Sequence, residues 1–200
     1  MKNAKSPGRP RAFDPEKALE TAMCLFWRKG YEGTSLTDLT EAMGINRPSL
    51  YATFGNKEEL FKKAFARYVD NTGCLAARQS STAREAVETL LFTAAENLVN
   101  PEHPGCLLVV GALACSDESQ GVRDELCAAR NAGQEAWKAR FELGVAEGEL
   151  PPKPTPEELA RYVMTVLNGM TVQARSGATA AELRGVAEMA MMAWPNRPEK

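Results

Sequence analysis

Apolar residues recur at three- and four-residue spacing through most of the chain, and no segment shows the strict alternation of a strand. The first stripe is Ala18, Leu19, Ala22, Leu25 and Phe26, behind Asp14 and Pro15 and ahead of Gly30. An N-capping Asp, a Pro at the first helical position and a Gly past the end predict one helix between them. Thr34 and Ser35 are alternative caps for a second helix, with Asp38 where a box partner of Ser35 belongs. Leu36, Leu39 and Met43 form its apolar face and Gly44 ends it. Asn46 caps a third helix with Pro48 in its first turn, and Leu50 and Phe54, four apart, anchor that helix inward. Gly55 breaks it. Asn56, with Glu59 as box partner, then caps a fourth helix continued by Leu60, Ala64, Phe65 and Val69.

Further helices are predicted over about 82–99, after Pro104 and Gly105, over about 120–147, from Thr155 and Pro156 to about Arg175, and over 179–194. The Pro-rich run PPKPTP separates the third of these from the fourth. Residues 1–12 are basic, rich in Pro and Gly and without periodicity, which predicts a mobile arm. The expected fold is all-α. It comprises an arm (1–12), a three-helix head with a helix-turn-helix (13–56), and a helical body (57–200).

A chain of 200 residues with net charge -2 buries a core without staples. Its charge is unevenly placed. Residues 1–63 carry 11 Lys or Arg against 8 Asp or Glu, and residues 64–200 carry 13 against 18. A basic end on an acidic body suits a protein that meets phosphate with that end only. Five cysteines, an odd number with no CxxC pair, together with the lack of a secretory signal, predict a reducing, cytoplasmic setting. Apolar runs such as 106–115 fall well short of the roughly 20 residues that span a bilayer. No HExxH, GxSxG or phosphate-loop motif occurs and His103 is the single histidine, so an enzyme is not expected. No cofactor is expected, and no metal site, because no close ligand pair accompanies His103 and the thiols.

With Leu50 and Phe54 inward, the third helix turns Pro48 and Ala52 outward, flanked by Ser49 and Tyr51. Small side chains let that face approach base edges. Arg47 offers donors to a guanine or a phosphate, and Pro48 or Ala52 a contact to a thymine methyl. The hydroxyls of Tyr51 and Thr53, the helix start at Thr34 and Ser35, and Lys57 are phosphate candidates. Arg9 and Arg11 on the arm suit a minor groove or phosphate. Each of these residues also has an ordinary role as cap, rim aromatic or solvent charge. Two short helices, a glycine turn and a basic arm together point to double-stranded DNA.

Residues 13–65 resemble the TetR family of bacterial transcriptional regulators. The resemblance rests on Gly30, Tyr31, Thr34, Ser35, Leu36, Gly44, Ile45, Leu50, Tyr51, Phe54, Lys57, Glu58 and Leu60, which match the family's pattern in order. It implies phosphate contacts at Thr34, Tyr51 and Lys57 and base reading around Arg47 to Thr53. Many members carry serine or alanine where Asn46 or Arg47 stands, and histidine where Thr53 stands. These departures bear on operator preference.

One helix-turn-helix covers one half-site, so a homodimer on a palindromic operator is expected. Leu159, Tyr162, Val163, Val166, Leu167 and Met170, with Leu183, Val186, Ala190 and Trp194, are the interface candidates, and an intramolecular core is the alternative use of the same residues. The resemblance implies pairing through this terminal helix pair, and a small-molecule effector in the middle of the chain that releases a repressor from DNA. Phe65, Tyr68, Leu91, Phe92, Cys106, Leu107, Leu113, Trp137 and Phe141 are candidate linings that core packing explains equally. The segment HPGCLLVVGALACSDE looks like one subgroup of such regulators. Cys106, at a predicted helix start, raises an alternative thiol or electrophile sensor. A helical protein-interaction module remains a further alternative.

Overall fold

The structure, a computed structural model, describes residues 13–71, 77–113 and 119–196. The proposed arm, with Arg9 and Arg11, lies outside the described residues. Among the described residues there are nine α-helices and no strand. They are α1 (Pro15–Lys29), α2 (Leu36–Met43), α3 (Arg47–Phe54), α4 (Lys57–Asn71), α5 (Ala83–Asn97), α6 (Leu107–Leu113), α7 (Gln120–Ala146), α8 (Pro156–Arg175) and α9 (Ala180–Met192). None of the described helices is long and apolar enough to cross a membrane.

The starts follow from side-chain caps. Asp14, Ser35, Asn46, Thr82, Thr155 and Thr179 each accept a first-turn amide, satisfying a donor the helix cannot satisfy itself. Ser35, Thr155 and Thr179 complete reciprocal boxes with Asp38, Glu158 and Glu182. The same contacts stabilise the ionised acids. Amide and hydroxyl bonds from Thr155 and Thr179 lower the pKa of Glu158 and Glu182.

Two apolar cores result. The first joins α1 to α4 around Phe26, Leu39, Leu50 and Phe61, and takes in Leu107 of α6 with Val122 and Leu126 from the start of α7. Phe61 meets Phe26 edge-on at 5.1 Å and Tyr31 at 5.2 Å. The second joins α5, α8, α9 and the far half of α7 around Leu91, Trp137, Phe141, Met170 and Leu183. A 27-residue α7 is about 40 Å long and serves both cores, while Cys106 borders both. Along α4, Leu60, Phe61, Ala64, Phe65 and Tyr68 are buried but Val69 is exposed. The expected stripe bends away from Val69 because a four-residue step advances about 400°, leaving it 40° past Phe65, and Tyr68 takes the inward place.

Candidate nucleic-acid interface

The second and third helices are held as a rigid pair. Ser35 Oγ accepts the Asp38 amide at 3.0 Å, and the Asp38 carboxylate accepts the Ser35 amide at 2.8 Å. Lys29 lies 2.6 Å from the same carboxylate. That ammonium, then the Ser35 hydroxyl and amide, hold the Asp38 carboxyl well below the usual range. Gly44 ends α2 with φ 63°, a left-handed conformation open to glycine at no steric cost. The chain therefore reverses within residues 44–46, and Asn46 Oδ1 accepts the Ser49 amide at 2.9 Å to start α3. Leu50 and Phe54 are buried. Lys63 Nζ donates to the Phe54 carbonyl at 2.9 Å, which places a cation at the negative end of α3.

This anchoring decides which residues face solvent. Arg47, Pro48, Tyr51 and Ala52 are exposed, while Ser49 and Thr53 are half-buried on the flank. The outward face is therefore turned further toward Tyr51 than the inward pair alone predicts. Arg47 Nη2 donates to Thr37 Oγ1 at 3.0 Å, steering the guanidinium across the α2–α3 junction. A guanidinium has five donors, so this bond leaves others to meet a base or a phosphate. Ser35 is exposed at the start of α2, beside first-turn amides that have no intrahelical acceptor.

Lys57 opens α4, where a cation opposes the helix dipole. It is seated with Nζ 4.2 Å from the centroid of the Tyr31 ring, an attraction that offsets that disadvantage. Burial pushes its pKa down. Thr34 departs from expectation. Its side chain is wholly buried, and Oγ1 donates to the Gly30 carbonyl at 2.7 Å. The hydroxyl ties the α1–α2 connector together and has no surface for a phosphate. Periodicity singled out neither Thr37 nor the Tyr31 face. Thr37 and Arg47 are ten residues apart across a turn, a spacing no helix rule flags, and only the reversal at Gly44 brings them together.

In the body, the expected effector residues divide between the cores. Phe65, Tyr68 and Leu107 are buried in the first; Leu91, Trp137 and Phe141 are buried in the second, with Phe92 packed against it. Tyr68 donates its hydroxyl to Cys106 Sγ at 3.0 Å, across the boundary. The side chain of Leu113 lies outside the described residues. An open hollow of about 230 Å³ is lined by Cys127, Arg130, Asn131, Gln134, Met164 and Asn168. Another, of about 270 Å³, lies beside Arg84, Glu149 and Trp194. None of the eight described candidates lines either hollow.

The interface candidates also divide. Leu159, Val163, Met170, Leu183, Ala190 and Trp194 are buried in the chain's own core. Tyr162, Val166 and Leu167 are half-buried, and Val186 is exposed. Tyr162 donates its hydroxyl to the Ala190 carbonyl at 3.0 Å, locking α8 to α9. Two further apolar side chains stand out on α9, Met189 at 66% and Met192 at 79% exposure.

Residues 18–64 match the family described as bacterial regulatory proteins, tetR family, and residues 83–190 match the tetracyclin repressor-like C-terminal domain. The chain is 37% identical over 197 residues to the HTH-type transcriptional repressor ComR of Escherichia coli (strain K12), covering 96% of this chain and 93% of that one. It is 30% identical over 193 residues to the HTH-type transcriptional repressor BdcR of the same strain, covering 94% and 93%. Among solved structures it is similar to the TetR family transcriptional regulator CifR, a cysteine mutant complexed with 26-base-pair double-strand operator DNA. That likeness has a TM-score of 0.88 and 44% identity, and covers 94% of this chain and 100% of that one. The chain belongs to the TetR family and is a DNA-binding transcriptional regulator.

Proposed function

We propose that two copies of this chain, joined through α8 and α9, occupy a palindromic operator in the cytoplasm and repress transcription until a small molecule binds the body. The observation that carries this reading is the exposed Arg47–Pro48–Tyr51–Ala52 face of a short helix fixed by a capped, glycine-closed turn. Such a helix enters a major groove, with small residues allowing close approach and Arg47 supplying the main base-reading donor. Tyr51, Thr53, Ser35 and Lys57 grip phosphates around it, and the arm (1–12) adds Arg9 and Arg11. The head (13–56) reads DNA, and the body (57–200) pairs the copies and takes the effector. Val186, Met189 and Met192, continuing into Tyr162, Val166 and Leu167, form the surface for the second copy. ComR and BdcR, named as repressors, and the operator-bound CifR support the reading.

The test is selection of sites from a random pool of double-stranded DNA by the purified chain, with the mass of the bound complex measured. The expected product is a palindrome whose half-site centres lie about one helical turn apart or a multiple of it, occupied by an even number of copies. Recovery of no sequence above background, or of a site without two-fold symmetry bound by one copy, overturns it.

A further inference from the structure

Trp27, near the end of α1, is held from several sides. Its Nε1–H donates to the Gly105 carbonyl at 3.0 Å. Its ring stacks on His103, with centroids 4.1 Å apart and planes at 14°, and meets Tyr68 of α4 edge-on at 4.7 Å. Arg175, the last residue of α8, donates through Nη1 to the Trp27 carbonyl at 3.5 Å and to the Pro104 carbonyl at 3.4 Å. The turn carrying His103 to Gly105 is itself closed, because the Gly105 amide donates to the Leu98 carbonyl at 2.7 Å. Gly105 has φ 83°, and a Cβ there would stand 2.9 Å from Arg175 Cγ. A side chain at this position would push the turn and α8 apart.

One side of this joint is α1 and α4, which carry the reading helix. The other is the 98–105 turn and the end of α8, rooted in the second core through Leu98, Met170 and Ala174. In a dimer paired through α8 and α9, the end of α8 has a fixed place relative to the two-fold axis. The orientation of each α3 relative to that axis then passes through this joint as well as through α7, which packs in both cores. We infer that Trp27 is a positioning residue for operator reading. It touches no DNA, and it sets the separation and tilt of the two heads, and with them the half-site spacing that the dimer accepts. The inference rests on the dimeric operator-binding reading above.

The experiment measures affinity for the selected operator and for versions with one base pair added or removed at its centre. Each such step shifts a half-site by about 3.4 Å and rotates it by about 35°. The wild-type chain is expected to lose about tenfold or more at either altered spacing, the order of one mismatched base pair. Trp27→Phe keeps a ring in the stack and removes the Nε1–H bond. Arg175→Gln removes the charged tie from an exposed side chain, and it decides the matter if the first variant does not fold by circular dichroism. Both are expected to bind the original spacing within about threefold of wild type, yet to separate the spacings by about threefold or less. A spacing ratio equal to wild type in the folded variants overturns the inference, including when affinity falls uniformly, because a merely structural ring would act that way. Failure of the wild-type chain to select any operator is a different result. It removes the dimeric reading itself, and the inference with it.

Discussion

The head and the body are both made of capped amphipathic helices, yet their surfaces differ. In the head, helices of eight residues meet at a fixed turn, and two buried anchors leave one defined exposed face on α3. In the body, helices of up to 27 residues turn most of their apolar side chains into one another. Leu159, Val163, Met170 and Leu183 are core, while exposed large apolar side chains remain at Val69, Leu143, Val172, Val186, Met189 and Met192, with Met189 and Met192 the most exposed. A short helix with few anchors has one way to face. A long helix with a wide apolar stripe leaves core, interface and ligand lining indistinguishable by pattern alone.

The largest effects are expected inside the two cores. Phe141→Ala should cost about 3–5 kcal/mol and Leu50→Ala about 2–5 kcal/mol, since each empties a wholly buried site. Because α7 serves both cores, denaturant melts followed by near- and far-ultraviolet circular dichroism should show one shared transition in each variant. A separate head transition in Leu50→Ala would show the regions to be independent units. Arg47→Ala acts on the exposed face of α3 alone. Operator affinity by fluorescence anisotropy should fall by about 1–3 kcal/mol, with the melting midpoint unchanged. Met189→Lys, on the exposed side of α9, should weaken pairing about tenfold, or about 1.4 kcal/mol, by sedimentation, and leave the monomer's helicity intact. No change in pairing would move the interface elsewhere.

The smallest effect is acidic. Glu182 has its pKa lowered below the usual 4.5 by the Thr179 amide and hydroxyl. A depressed carboxylate contributes its stability in full above the unfolded value, and loses it as pH falls through the folded one. The melting temperature of Glu182→Gln should therefore depend less steeply on pH below 4.5 than that of the wild-type chain. Equal slopes would mean that the box contributes no linkage.

Much of the fold was legible because its punctuation is local. Asp14, Ser35, Asn46, Thr155 and Thr179 cap the helices where their side chains predict, and Gly30 and Gly44 end α1 and α2. Burial around long-range joints was not legible. Thr34 reads as a surface cap but folds inward to Gly30. Trp27 and Arg175 are 148 residues apart, and nothing in their flanking pattern pairs them. The expected effector residues look alike in sequence because all but Cys106 are large aliphatic or aromatic side chains, a property that a dry core and a ligand cavity share.

On the proposed function, the α3 face of a paired head reads base sequence. The most direct test of that reading is the ratio of affinities for the selected operator and for a scrambled duplex of equal length and composition, at the same salt. A ratio of about a thousand or more is expected. A ratio near one, with both affinities falling together as salt rises, would leave only phosphate attraction and contradict it.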